Sequence, residues 1–267
     1  MLNHETIRSM KLFLFDMDGT LYLGDRLFDF TTSLLRRIRE TGGRYLFMTN
    51  NSSKSVEDYI QKLRKMGIDA DREDFITSAQ ATAWYLLQNH PEGPLYVCGT
   101  ASFKAELTRA GLTVTEDADR AECIVMGFDT ELTFQKLHDV SRLLLTREIP
   151  YIATNPDYVC PTELGSVPDC GSVCDMIYNA TCKRPLVIGK PEPLMPKLAM
   201  ERLGIAPEHT CCIGDRIYTD IRSGLNAGIT TMLVLSGEAT LETLNSSDIK
   251  PHFVLEDASE ILAALSD

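Results

Sequence analysis

LFLFDMDGT, residues 12–20, is the stretch of this sequence that decides its fold. Its four consecutive apolar residues predict a strand that is covered on both faces, which is typical of a central strand in a parallel sheet. Two acids follow, Asp16 and Asp18, and a spacing of two directs both side chains to the same side of an extended chain. Because ligands bind at the carboxyl edge of open parallel sheets, the stretch predicts both a fold class and a polar site.

Short apolar runs alternate with helical stretches along the rest of the chain, which predicts an α/β fold. We expect a Rossmann-like main domain, residues 1–78 and 183–267, in which helices cover both faces of a parallel sheet. The alternation starts again within residues 79–182, which are enough for a smaller inserted α/β domain. The main sheet is expected to contain strands at 12–15, 44–48, 186–188, 210–213 and 231–234. Residues 155–170 contain three prolines and are expected to be irregular.

Composition excludes some classes of function. The 267 residues carry a formal net charge of −12, which argues against a nucleic acid polymer or a membrane as the partner, since both require basic surface. The first ten residues lack the apolar core of a signal peptide and no apolar run reaches membrane-spanning length. We therefore expect a cytoplasmic protein, a monomer or a homodimer.

Cysteine spacing also bears on function. The eight cysteines are expected to be reduced, as in a cytoplasmic protein. Four of them form a loose group, Cys160, Cys170, Cys174 and Cys182. This group contains no C-x-x-C pair, so the spacing does not favour a zinc site.

Polar residues follow four strands of the predicted main domain. The segments are DMDGT at 16–20, TNN at 49–51, GKP at 189–191 and GDR at 214–216, with Asp220 behind the last of them. Four polar segments at the same edge of one sheet predict a site more strongly than any one of them. Asp18-Gly19 alone would indicate only a turn, and Thr49-Asn50 alone only a helix cap.

The residue types of these segments favour a hard cation and an anionic ligand. Asp16, Asp18 and Asp215 offer carboxylate oxygens, the ligands that Mg²⁺ prefers. Counted from Asp16, a calcium-binding loop needs glycine at its sixth position and glutamate at its twelfth, where this chain has leucine. Lys190 supplies the positive charge that the acidic composition otherwise lacks.

These groups suit attack on a phosphomonoester. A carboxylate can attack phosphorus to give an acyl phosphate, provided that cations neutralise its approach to the anion. A second carboxylate can protonate the leaving group and then activate water. No histidine falls at the predicted sheet edge and no G-x-x-x-x-G-K-[ST] is present, which argues against a histidine phosphatase and a P-loop enzyme.

The four segments, in this order and at these wide spacings, resemble the motifs of the haloacid dehalogenase (HAD) superfamily of phosphatases, and within it the NagD-like branch. The inserted block lies where that family carries a cap domain of the C2 type. The resemblance covers essentially Lys11 to the C-terminus. It implies an HAD-type phosphatase, a phosphoric monoester hydrolase that uses Mg²⁺ and an aspartyl-phosphate intermediate to hydrolyse a small phosphomonoester, such as a nucleoside monophosphate or a sugar phosphate.

The resemblance also implies roles for individual residues. Asp16 would be the nucleophile and Asp18 the general acid/base, while Lys190 would neutralise the phosphoryl group. Mg²⁺ would be held by Asp16, the backbone carbonyl of Asp18, and Asp215, with Asp220 orienting these ligands. The substrate-binding residues would be Thr49, Asn50 and Asn51, with Asn155 and Asp157 selecting the substrate from the cap. Pro168 to Ser172 departs from the glycine-rich stretch of many members.

Two other functions remain open from the sequence. A phosphotransferase or mutase would pass the phosphoryl group to a sugar instead of water. A phospho-accepting signalling domain also uses acids, threonine and lysine around Mg²⁺, but such domains are about half as long and place the accepting aspartate on a middle strand. Asp18 beside Asp16 favours hydrolysis over a persistent phosphoprotein.

Overall fold

The structure is a computed structural model of the chain that describes residues 4–90, 92–162 and 165–266. Its strands are β1 (Leu12–Phe15), β2 (Tyr22–Leu23), β3 (Arg26–Leu27), β4 (Arg44–Thr49), β5 (Phe75–Thr77), β6 (Leu95–Cys98), β7 (Val114–Thr115), β8 (Cys123–Met126), β9 (Tyr151–Ala153), β10 (Val159–Thr162), β11 (Gly165–Pro168), β12 (Leu186–Val187), β13 (Thr210–Gly214), β14 (Thr230–Val234) and β15 (Phe253–Leu255).

The helices alternate with these strands. They are α1 (His4–Ser9), α2 (Thr31–Glu40), α3 (Val56–Lys65), α4 (Ser78–Asn89), α5 (Ala101–Arg109), α6 (Phe134–Thr146), α7 (Cys170–Thr181), α8 (Leu194–Leu203), α9 (Arg222–Ala227), α10 (Leu241–Ser246) and α11 (Ser259–Ser266). A π-helical turn, Ile217–Ile221, precedes α9. Within the described ranges, no helix combines the length and the apolar character that crossing a lipid bilayer requires.

The chain forms two compact units. The first contains the described residues up to Thr49, the segment Tyr59–Ile76, and the chain from Lys190 onward; the second contains Asn50–Asp58 and Thr77–Gly189. The division proposed from the sequence, with a main domain of 1–78 and 183–267 and an inserted cap of 79–182, stays a prediction.

The sheet of the first unit has the strand order β15-β14-β13-β1-β4-β5. β1 lies between β13 and β4 and pairs in parallel with both, and all four of its residues are fully buried. Burial on both faces explains why this strand is apolar throughout. β13 also pairs in parallel with β14, so the carboxyl ends of β1, β4 and β13 meet at the same edge. The predicted α/β class with a parallel sheet is confirmed.

The sheet of the second unit has the order β12-β9-β8-β6-β7, and every pair in it is parallel. Its core is built from apolar residues of β6, β8, β9, α6 and α7. The prediction that 186–188 forms a strand of the main sheet is wrong, because Leu186 and Val187 pair with Ile152 and Ala153 of β9. The local sequence predicted a strand here, but it carries no information about the pairing partner.

The expectation of an irregular stretch at 155–170 is wrong in part. β10 and β11 form an antiparallel hairpin in which Val159 is opposite Pro168 and Pro161 is opposite Ser166. A two-stranded hairpin tolerates proline because both of its strands are edges, where a missing N–H leaves no sheet bond broken.

Candidate active site

A buried ammonium group joins two carboxylates in the first unit. Lys190 is 3% exposed, and its Nζ donates to Asp16 Oδ1 at 2.6 Å, to Asp220 Oδ1 at 2.6 Å and to the carbonyl of Met48 at 3.2 Å. Three acceptors match the three protons of an ammonium group, so the side chain is fixed in place. Asp16 immediately follows β1, and Met48 lies near the carboxyl end of β4.

A third carboxylate completes an acidic group. Ligand oxygens of Asp16, Asp215 and Asp220 all lie within 4.8 Å of one another. Asp215 follows β13, and its Oδ2 accepts the backbone N–H of Glu238 at 2.7 Å. Its Oδ1 is buried and accepts no hydrogen bond from the residues that the structure describes. A buried carboxylate oxygen without a donor, beside a second carboxylate, fits a hard divalent cation such as Mg²⁺.

Two glycines shape the surroundings of Asp215. A Cβ atom added at Gly19 or at Gly237 would overlap Asp215 Oδ2. Gly19 also has a φ of +82°, a left-handed conformation that favours glycine. The backbone therefore closes around Oδ2, which leaves Oδ1 as the oxygen available to a cation.

Burial perturbs the titration of these acids. It raises the pKa of Asp16 to about 6, against the opposing charge of Lys190. It raises the pKa of Asp215 to about 7, and the negative charges of Asp16 and Asp220 add to the effect. Burial alone would lower the pKa of Lys190, but Asp16 and Asp220 hold it well above its ordinary value. Carboxylates that resist ionisation together become fully charged when a cation is bound among them.

Asp220 is positioned by an irregular helix. It is fully buried within the π-helical turn Ile217–Ile221, and its Oδ2 accepts the backbone N–H of Arg216 at 3.1 Å. Gly214 packs directly against it, since a Cβ there would overlap the Asp220 side chain. π-helical turns often occur at functional sites because they redirect one side chain. Here the redirected side chain fixes Lys190.

Asp18 differs from the other acids. Its side chain is exposed and lies outside the acidic group, and its Oδ1 accepts the backbone N–H of Gly24 at 3.3 Å. An exposed carboxylate close along the chain to Asp16 can exchange protons with a ligand and with water. Thr49, the last residue of β4, is buried.

The second unit brings together three of the other predicted residues. Asn50 Nδ2 donates to Asp157 Oδ2 at 3.0 Å, and Asn155 Nδ2 donates to the carbonyl of Asn50 at 2.9 Å. Asn51 has other contacts: its Oδ1 accepts the backbone N–H and the hydroxyl of Ser53, and its Nδ2 donates to Cys160 Sγ at 4.0 Å. The structure thus groups Asn50, Asn155 and Asp157, while Asn51 contacts Ser53 and Cys160.

The sequence prediction missed the loop after β14. Ser236 donates its hydroxyl to the carbonyl of Gly19 at 2.6 Å, and Gly237 and Glu238 contact Asp215 as described. The signal was present: the loop follows an apolar strand of the same parallel sheet, as the four recognised segments were expected to do. The loop contains no acid or base with an evident catalytic role, so the sequence did not predict it as part of the site.

Comparisons with known proteins agree with this arrangement. Residues 13–113 match the family of haloacid dehalogenase-like hydrolases, and residues 187–261 match a related HAD-hydrolase-like family. An acid sugar phosphatase of Staphylococcus aureus is 35% identical over 259 residues, which cover 97% of this chain and 99% of that protein. The chain belongs to the haloacid dehalogenase-like hydrolases.

Solved structures place it more narrowly within that family. A 4-nitrophenylphosphatase from Thermotoga maritima superposes with a TM-score of 0.93 at 38% identity, covering 97% of this chain and 99% of that one. A protein described as a putative NagD superposes with a TM-score of 0.89 at 35% identity over the full length of both. This HAD hydrolase is a NagD-like phosphatase, as its four motifs predicted.

Proposed function

We propose that this phosphatase hydrolyses a small phosphomonoester in two steps, with Mg²⁺ as cofactor and an aspartyl phosphate on Asp16 as intermediate. The observation that carries the proposal is the group formed by Asp16, Lys190 and Asp215. It combines a carboxylate at a strand end, a fixed ammonium group on that carboxylate, and a neighbouring carboxylate with a free buried oxygen.

Asp16 Oδ2 is the oxygen that attacks phosphorus in this proposal, because Oδ1 accepts the ammonium proton of Lys190. Lys190 keeps Asp16 ionised and offsets the charge of the incoming phosphoryl group. Bound Mg²⁺, held by Asp16, Asp215 and the carbonyl of Asp18, would supply further neutralisation of that charge. Thr49 would hold a phosphoryl oxygen.

Asp18 transfers protons in both steps. In the first, its carboxyl group gives a proton to the leaving alkoxide as the bond from phosphorus to that oxygen breaks. In the second, its carboxylate takes a proton from the water that attacks the phosphoryl group on Asp16, which releases phosphate and restores the Asp16 carboxylate. Its exposure supports this role, since both the leaving group and water must reach it.

The proposed substrates are sugar phosphates, with nucleoside monophosphates as the second class. The name of the S. aureus relative, acid sugar phosphatase, supports the first class, and that of the T. maritima relative supports activity on an aryl phosphate such as 4-nitrophenyl phosphate. We place the enzyme in the cytoplasm, where its cysteines, none of which forms a disulfide in the described residues, would stay reduced.

The test is phosphate release from a panel of esters, with Mg²⁺ or with a chelator. The panel contains 4-nitrophenyl phosphate, glucose 6-phosphate, glycerol phosphate and AMP. We expect release that depends on Mg²⁺ and is fastest for a sugar phosphate among the natural esters. If no ester releases phosphate and a stable phosphoprotein forms instead, the proposal is wrong and the protein is a phospho-accepting domain.

A further inference from the structure

A short loop in the second unit contacts Asn50 and Gly189, which are the chain neighbours of Thr49 and Lys190. The post-β9 loop, Thr154–Asp157, follows the interior strand β9 and is almost entirely buried: Thr154 and Asn155 are fully buried and Asp157 is 8% exposed. Its predicted role was to select the substrate. Its contacts indicate another role.

The first set of contacts fixes Asn50, the residue after Thr49. Its carbonyl accepts Asn155 Nδ2 at 2.9 Å and the hydroxyl of Ser78 at 2.6 Å. Its side-chain amide donates to Asp157 Oδ2 at 3.0 Å. Asp157 is oriented in turn, because its backbone N–H donates to Asn155 Oδ1 at 3.0 Å. The loop and Ser78 thus fix both the backbone and the side chain of Asn50.

The second set fixes Gly189, the residue before Lys190. Its backbone N–H donates to the carbonyl of Thr154 at 2.8 Å. A Cβ atom at Gly189 would overlap that carbonyl and would lie 2.6 Å from Asn50 Oδ1. The loop, Asn50 and Gly189 are therefore packed together with no space for a side chain at Gly189.

Charge and burial argue against direct substrate contact by the loop. Asp157 is a carboxylate, which repels a phosphate ester, and its Oδ2 already accepts a proton from Asn50. Asn155 is fully buried and uses its amide nitrogen on Asn50 and its amide oxygen on Asp157. Neither side chain resembles the exposed, adaptable groups that discriminate between leaving groups.

We propose that Asn155 and Asp157 are positioning residues: they set the location of Asn50, whose side chain packs against Gly189, and so of a phosphoryl-binding residue common to every substrate. This inference rests on the proposed function and changes one assignment within it. Loss of a positioning residue lowers kcat/KM by the same factor for all esters, whereas loss of a substrate-selecting residue changes the order of kcat/KM among the esters.

The test compares Asp157→Leu, Asp157→Asn and wild type on 4-nitrophenyl phosphate, glucose 6-phosphate and AMP. Asp157→Leu removes the acceptor at similar volume and should lower kcat/KM about 10- to 100-fold, by the same factor for each ester. It should also weaken competitive inhibition by inorganic phosphate, which has no leaving group. Asp157→Asn keeps an acceptor oxygen and should recover most of the rate. Glu148→Gln, an exposed acid of the same unit, serves as the control.

A second variant keeps the test decisive if Asp157→Leu does not fold, as judged by its thermal melt. Ser78→Ala deletes one hydrogen bond to the Asn50 carbonyl and should give a smaller loss, about 3- to 10-fold, again equal for all esters. If either variant changes the order of kcat/KM among the esters but not the inhibition by phosphate, the inference is wrong, although the protein would still be a hydrolase. If the wild type hydrolyses no ester, the proposed function is wrong. The inference is then tested by calorimetry: if Asp157→Leu binds inorganic phosphate as tightly as the wild type does, the inference is wrong as well.

Discussion

At the scale of single residues, the site depends on which oxygen of each carboxylate is already occupied. Lys190 takes Oδ1 of Asp16 and Oδ1 of Asp220, and the backbone of Glu238 takes Oδ2 of Asp215. These bonds leave Asp215 Oδ1 for a cation and the second oxygen of Asp16 for phosphorus. The exposed Asp18 has no such fixed bond to a charged group, which suits a residue that must release and accept protons.

Asp18→Asn should separate proton transfer from metal binding. We expect kcat to fall by roughly 100- to 10,000-fold because the general acid and base is lost. The loss in kcat/KM, which reports the step in which the leaving group departs, should be larger for glucose 6-phosphate than for 4-nitrophenyl phosphate, whose leaving group needs little protonation. The Mg²⁺ concentration for half-maximal rate should stay near that of wild type, since the backbone carbonyl is kept. Asp25→Asn, with an 88% exposed side chain, is the control, and an equal loss on both esters would contradict the role of Asp18.

At the scale of elements, the sequence predicted the bounds of several strands but not which strands pair with each other. The bounds of β1 agree with prediction, and those of β4, β13 and β14 differ from it by one residue, because each strand is a clear apolar run. The hairpin β2–β3 has two residues in each strand, too few to show alternation. The strand at Leu186 was recognised but assigned to the wrong sheet, because pairing depends on residues distant in the chain.

The candidate site shows the same limit. The sequence predicted a site from acids and a lysine at strand ends, and the structure brings four of these residues together: Asp16, Lys190, Asp215 and Asp220. The loop after β14 contacts Asp215 through a backbone N–H and through the absence of a side chain at Gly237, so its position after an apolar strand was the signal that the sequence offered.

Gly237→Ala tests that loop. The added methyl group would overlap Asp215 and push its carboxylate away from the cation position. We expect the Mg²⁺ concentration for half-maximal rate to rise about 10- to 100-fold, the usual cost of disturbing a group that orients a metal ligand. Glu242→Ala, an exposed change on the following helix α10, should leave that concentration unaltered. If the Gly237→Ala enzyme has the Mg²⁺ dependence of the wild type, the loop does not contribute to the site.

At the scale of the whole molecule, the buried acids would couple the proposed metal binding to stability. The folded-state pKa values of Asp16 and Asp215, about 6 and about 7, exceed the ordinary value of 3.8. The metal-free folded protein therefore holds more protons at these groups than the unfolded chain. Their contribution to stability is present at low pH and declines as pH rises toward 7. Bound Mg²⁺ would replace those protons and offset the negative charges of the carboxylates.

The rise in Tm caused by saturating Mg²⁺ should accordingly be larger at about pH 7.5 than at about pH 5, because protons compete with the cation at the lower pH. Differential scanning calorimetry with and without Mg²⁺ measures this directly. In Asp215→Asn the difference between the two pH values should shrink. An increment in Tm that is equal at both pH values would mean that Mg²⁺ does not bind at these carboxylates.

The central claim is that Asp16 carries the phosphoryl group, and one chemical trapping experiment tests it. The enzyme is mixed with 4-nitrophenyl phosphate and Mg²⁺, quenched in acid within the first turnover, and reduced with borohydride, which converts an acyl phosphate to an alcohol. Peptide mass spectrometry should then find homoserine in place of aspartate at position 16, only when ester and Mg²⁺ were both present. Full turnover with unmodified Asp16 at every quench time would contradict the claim and point to direct attack by water.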